Sequence, residues 1–241
     1  LNMISYPVEQ IETKAATPTK SVRTNYFNWG TTPARIAPQT VDVKIGSGTY
    51  ETRLRYSAYD ADGNPLMVSK ENDQLVSYVW GYNNSYPIAE ITNTPVKNVF
   101  HTSFEDASGN STLNDCKTGR RSRTGGFSKP LTGLDNGTYI LSYWQKSGAS
   151  WTLQSSSVSI TTGSYIISLG GQVDEVRFYP KTSQMKTYTY DPLIGTITEC
   201  DVSDHIIYYE YDNYARVKLI RDMNGSILKT FKYQYQGTTA N

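Results

Sequence analysis

The sequence predicts an all-β protein built from hairpins and short antiparallel strands. Three observations carry that reading. Tyr is in excess, 20 residues against 6 Phe in a chain of 241, and a ring with a polar tip suits a strand with one half-exposed face. Apolar and charged residues alternate with period two: Tyr50, Thr52, Leu54 and Tyr56 against Glu51, Arg53 and Arg55, as in a strand buried on one side. No stretch of about 12 residues combines apolar spacings of three and four with helix-forming fillers.

Taken in order, Ile4–Ile11 and Arg23–Trp29 read as strands. Pro7, Pro18, Pro33 and Pro38 demote the runs around them to edge or terminal strands. Gly46-Ser47-Gly48 makes a turn. Residues 49–93 form a β-meander. Its first hairpin turns at Asp60-Ala61-Asp62-Gly63-Asn64-Pro65, where Asp caps its own backbone and Gly supplies positive φ. Leu66–Ser69 and Gln74–Tyr82 are the next strands. The pattern restarts at Tyr188, with strands from Ile197, at Ile206–Asp212 and at Val217–Arg221. Asp222-Met223-Asn224-Gly225 predicts a hairpin with positive φ at both Asn224 and Gly225. Between these stretches Ser, Thr and Gly dominate. Phe104-Glu105-Asp106 opens that middle segment, Thr138–Lys146 is its long strand and Val173–Pro180 closes it.

Tyr-Asp recurs at Tyr59-Asp60, Tyr190-Asp191 and Tyr211-Asp212, and Tyr233 continues the spacing. A repeat near 20 residues means stacked supersecondary units and a scaffold rather than one irregular catalytic core. The run Tyr208-Tyr209-Glu210-Tyr211-Asp212-Asn213-Tyr214-Ala215-Arg216-Val217, followed by Asp222-Met223-Asn224-Gly225, resembles the YD-repeat, or rearrangement-hot-spot, family. Tyr78-Val79-Trp80-Gly81-Tyr82-Asn83 resembles variants in Bacteroides-type members. Ala215 stands where Gly is usual, and Val202-Ser203-Asp204 where Asn-Gly is usual, so those two turns are expected to differ. The middle segment is similar to a jelly-roll sandwich of the galactose-binding or carbohydrate-binding-module type. The expected organisation is therefore a YD-repeat-like β segment over 1–97, a jelly-roll insert over 98–181 and a second YD-repeat segment over 182–241.

The jelly-roll resemblance implies two sites. One is calcium, held by Glu105, Asp106 and Asp174, hard oxygen donors where the first strand meets the last. The other is a glycan platform. In Thr138–Lys146, Tyr139, Leu141 and Tyr143 face one way and Ile140, Ser142 and Trp144 the other. One set must be core, which leaves either Tyr139 and Tyr143 or Trp144, with Trp151 and Tyr165, to stack on a sugar. No other cofactor is implied.

Enzyme signatures are thin. His101 and His205 are the two histidines, placed in different modules, and no nucleophile elbow, zinc-protease motif or phosphate loop is present. The reading is of a non-enzyme. A net charge of +1 offers no global field for nucleic acid. Arg120-Arg121-Ser122-Arg123 reads as a solvated run. No apolar run of about 18 residues spans a membrane. Cys116 and Cys200 read as free thiols. The chain starts at Leu1, as expected of a piece of a longer protein. The family resemblance implies a segment of a large bacterial cell-surface or secreted protein, with the rest of that chain and a glycan or other surface group as partners. Two alternatives stay open: part of a shell that encloses a toxin, and a carbohydrate-active enzyme.

Overall fold

The computed structural model describes residues 8–31, 34–106 and 111–234. Ile4–Pro7 of the first expected strand, and Pro33, lie outside them. The described residues are all-β: no α-helix occurs among them, and Val96–Asn98 is a single 3₁₀ turn. Two compact units are present, Leu1–Tyr78 with Thr92–Val96, and Val79–Ile91 with Lys97–Asn241.

The first unit is a meander of β1 (Glu9–Lys14), β2 (Thr17–Thr31), β3 (Ala34–Ile45), β4 (Glu51–Tyr59), β5 (Pro65–Lys70) and the start of β6 (Leu75–Gly81), each antiparallel to the last. The period-two reading of β4 holds: Glu51, Arg53 and Arg55 are exposed while Thr52, Leu54 and Tyr56 are half-buried. The prolines correct the edge-strand expectation. Pro18 and Pro38 lie in β2 and β3, and β2 is flanked on both sides. Pro18 pairs with Thr13, Pro38 with Tyr26 and Pro65 with Tyr59, each at a register shift. A bulge frees the ladder position that Pro cannot donate to, so the strand need not be at an edge.

In the second unit β7 (Tyr86–Thr92) leads into β8 (Phe100–Thr102), β9 (Ser111–Leu113), β10 (Arg121–Arg123), β11 (Phe127–Thr132), β12 (Gly137–Ser147), β13 (Ser150–Ile160), β14 (Ser164–Leu169) and β15 (Gln172–Pro180). Four hairpin strands follow β16 (Gln184–Asp191): β17 (Gly195–Cys200), β18 (Ile206–Tyr211), β19 (Val217–Asp222) and β20 (Ile227–Thr230). Strands β7-β16-β17-β18-β19-β20 are neighbours in that order, β13-β12-β15-β10-β9 form a second sheet with β8 also on β15, and β11 pairs β14. The opening strand of the middle segment is Phe100–Thr102, not Phe104–Asp106. Phe104 has φ +62°, outside any strand.

Residues 98–181 keep a core of their own. Phe104, Leu134, Tyr139, Leu141, Ile160, Ile167, Leu169, Val173, Val176 and Phe178 form one cluster between β12 and β15 on one side and β11 and β14 on the other. Burial of such side chains contributes roughly 1.5–3 kcal/mol each. The segment is not isolated, however. Ile140 packs on Ala89, Ile91, Tyr179 and Met185, and Trp144 packs with Cys200 and Ile206. Both faces of β12 are therefore buried, which corrects the expectation that one of its two sets would be exposed.

Two of the three Tyr-Asp pairs, at Asp60 and Asp212, open turns of one geometry; the Asp191 turn differs, closing the Ile194 N–H onto the Asp191 carbonyl at 2.9 Å. Four turns are built alike, at Asp60, Asp201, Asp212 and Asp222. In each, the Asp N–H donates to the carbonyl four residues on, and its Oδ1 accepts the N–H groups two and four residues on at 2.7–3.1 Å. The residue three after Asp has positive φ: Gly63 +91°, Asp204 +61°, Ala215 +56°, Gly225 +86°. This is a three-residue hairpin loop closed by one left-handed residue. Asn224 is not left-handed, so the two-residue turn expected at Asn224-Gly225 is replaced by this longer one. The Asp222 carboxylate is the reason, because it captures the N–H groups of Asn224 and Ser226. Nor do Ala215 and Asp204 alter their turns; they take the left-handed conformation in place of Gly. Ala215→Gly should therefore stabilise the protein by about 0.5–1 kcal/mol, the left-handed penalty less the flexibility Gly adds to the unfolded chain. Chemical denaturation checks this, and a lower midpoint would sink it.

Four tyrosines of the repeat stretches are tied at their hydroxyls, which their composition did not announce. Tyr59 O–H donates to the Pro38 carbonyl at 2.9 Å, Tyr190 to Pro87 at 2.8 Å, Tyr211 to Thr196 at 2.7 Å and Tyr233 to Val217 at 2.8 Å. In each case the phenol crosses to the backbone of a neighbouring strand. Burial pushes the Tyr190 hydroxyl up to about 12 and raises those of Tyr59 and Tyr211.

Candidate functional site

The residues expected to form a glycan platform do not come together. Trp144 is buried, 5 % exposed, with the Lys117 ammonium 4.2 Å above its ring. Tyr143 and Tyr165 pack against the core of the middle segment, and Tyr165 stacks on Phe178 at 5.4 Å. Trp151 is half-buried beside Trp144 and its cross-strand neighbour is Lys146, whose ammonium lies 5.8 Å from the ring.

The three expected calcium ligands are each engaged with backbone N–H groups. Asp174, 0 % exposed, accepts from Lys117 at 2.7 Å, Thr118 at 2.8 Å and Glu175 at 2.7 Å. Glu105 accepts from Arg120 at 2.8 Å and Arg121 at 2.9 Å. Asp106 accepts from Tyr82 at 2.6 Å. No group of three or more His, Cys, Asp or Glu that could hold a metal exists among the described residues. This donor set fits loop anchoring rather than a cation: Glu105 and Asp174 fasten the Lys117–Arg121 backbone to the sandwich. Burial raises the pKa of both carboxyls, and the N–H donors oppose that shift.

Around Asp174 lies a polar network that composition did not announce. Register shifts by one residue opposite Tyr143, between the pairs Ser142–Arg177 and Trp144–Asp174. The bulged residue Glu175 has φ +50°, a conformation left to Gly in most bulges. Its buried carboxylate accepts from Thr118 at 3.0 Å and from Thr187. Two residues on, Arg177, 0 % exposed, bonds Asp204 at 2.5 Å, the Asp201 carbonyl at 3.1 Å and the Met185 carbonyl. Burial disfavours its charge, but its anionic neighbours, Asp204 and Glu175 among them, outweigh that and raise its pKa. Asp204 thus has a reason to replace the usual Gly: it is both the left-handed turn residue and the counter-ion of Arg177. The one available signal was Arg177 itself, a cation between the apolar Val176 and Phe178.

His101 is buried in β8, with Nδ1 3.1 Å from the Val176 carbonyl. A carbonyl only accepts, so Nδ1 carries the proton and donates. Burial lowers the pKa and keeps the ring neutral. His205 sits in the Asp201 turn, as its sequence position implied. Cys116 and Cys200 are free. Burial pushes Cys116 up to about 12 and raises Cys200 as well, so neither is a thiolate nucleophile at neutral pH.

One of the clefts that can accept a ligand, of about 360 Å³, lies beside β8. Trp80, Phe100 and Phe127 give it aromatic walls, Val79 and Ile88 an aliphatic one, and Asp106, Arg123 and Lys129 a charged rim. Phe100 and Phe127 stack at 6.0 Å. Sequence reading missed this cleft because its walls come from β6, β7, β8 and β11, far apart in the chain. A scan against protein-family models matches no family, and a search of curated proteins finds no relative.

Proposed function

We propose that this chain is a non-catalytic scaffold segment of a larger YD-repeat protein displayed on, or secreted from, a bacterial cell, with residues 98–181 as a jelly-roll insert that presents a glycan-binding surface. The observation that carries the reading is the unit found at both Tyr59-Asp60 and Tyr211-Asp212, in which Tyr ties to a neighbouring strand and the following Asp closes the next turn. Each residue of the pair is used up in holding strands together, so the motif has a structural purpose and no chemistry left over. Neighbour-to-neighbour ties suit a repeat that propagates along a sheet. The buried pairing of insert and repeat strands supports a rigid display rather than a tethered module.

The latch is tested by Tyr211→Phe. Loss of one buried hydrogen bond should cost about 1 kcal/mol, leaving the Thr196 carbonyl unpaired, with an unchanged denaturant slope. A variant as stable as the parent would show that the phenol does not hold the sheet. Display is tested by proteolytic shaving of intact producing cells and immunodetection of this segment; protection until lysis would overturn the surface assignment.

A further inference from the structure

We propose that the cleft beside β8 is a binding site for an acidic oligosaccharide, with Trp80, Phe100 and Phe127 against a sugar ring and Arg123 and Lys129 at its carboxylate. The volume, about 360 Å³, is at the small end of ligand clefts and admits a short saccharide. Its walls are aromatic and aliphatic, which matches the C–H face of a pyranose. Its rim is charged, which matches hydroxyls and a carboxylate. A purely apolar ligand would strip water from the rim of Asp106, Arg123 and Lys129 and offer it no hydrogen bond in return.

The charge balance selects the acidic class. Two cations face one carboxylate, and Asp106 already spends Oδ2 on the Tyr82 N–H. The Lys129 ammonium lies over the Phe100 ring, 5.6 Å from its centroid, which places a cation at the cleft's aromatic wall. Arg123 is steadied by its own Nε–H to the Gly126 carbonyl at 3.2 Å, which presents the guanidinium from a fixed stem. Charge-assisted hydrogen bonds to a carboxylate are the stronger kind. This site lies away from Trp144 and Trp151, and it deepens the glycan part of the proposed function without depending on the tyrosine latch.

The test uses the whole chain on an array of uronate- and sialate-terminated oligosaccharides beside their neutral counterparts, followed by calorimetric titration of the best acidic binder. The expected result is saturable binding, about ten-fold weaker for the neutral counterpart and for Lys129→Glu. Trp80→Ala should abolish it. Lys129 is exposed, so its substitution leaves the fold intact, and circular dichroism checks this for both variants. No acidic binder on the array, equal affinity for the neutral sugar, or binding indifferent to Lys129→Glu would each overturn the proposal. So would displacement of the sugar by a mononucleotide at equal concentration. Because the Tyr211→Phe stability result is read independently, failure here leaves the scaffold reading standing.

Discussion

Arg177→Met is expected to destabilise the protein by about 3–5 kcal/mol, the largest effect of any single substitution considered. Arg177 has no exposed surface and donates to the Asp204 carboxylate at 2.5 Å, which also accepts from the Ser142 hydroxyl at 3.3 Å. Methionine fills most of the volume but leaves that charge, and the carbonyls of Met185 and Asp201, facing an apolar wall. A half-buried carboxylate left without its cation, together with two stranded carbonyls, is the reason for the size of the effect; the net worth of the intact pair is far smaller. Chemical denaturation measures it. Adding Asp204→Gly should restore part of the loss, since it removes the orphaned carboxylate and suits the left-handed φ of +61°. A double variant that loses the full sum of the two singles would mean that the pair does not act as a unit.

Asp174→Asn should cost about 2–4 kcal/mol. The carboxylate accepts three backbone N–H groups through two oxygens. An amide presents one oxygen and one NH₂. Whichever way it flips, at least one buried N–H faces another donor. The effect should be local as well as global: the Lys117–Arg121 loop loses one of its carboxylate anchors, Glu105 and Glu175 being the others named above. Limited proteolysis should cut there in the variant and not in the parent. An unchanged denaturation midpoint with unchanged protection would show that the carboxylate is dispensable, and would reopen the question of what else its oxygens bind.

The four Asp turns were legible in the chain because their causes are local. A carboxylate captures N–H groups two and four residues on, whatever surrounds it, so Asp60, Asp212 and Asp222 could be named as turns from spelling alone. The exact turn at Asp222 could not. Asn-Gly favours a two-residue loop, and a competing side chain one step earlier decided for three. Prolines misled for a related reason: whether a missing N–H matters depends on the ladder position it occupies, and Pro18 and Pro38 sit at register shifts that no local pattern reveals.

The aromatic residues divide along the same line. Alternation in Tyr139–Trp144 gave two faces, correctly, yet could not say what covers each. The middle segment buries one face in its own core, and the β7 and β16–β18 strands cover the other. Trp144 therefore became interior, while Trp80, Phe100 and Phe127, unremarkable in sequence, line a cleft. By itself the sequence determined the all-β class, the meander, the positions of the Asp turns and the long strands Gly137–Ser147 and Gln172–Pro180, because each follows from period-two alternation and short-range hydrogen bonding. Only the tertiary structure decided which strand faces are wet, that Asp174 and Glu105 fasten a loop, and that Arg177 meets Asp204. Those outcomes depend on pairings across tens of residues, where the free energy of burying a charge or a ring is set by whatever surface happens to close over it.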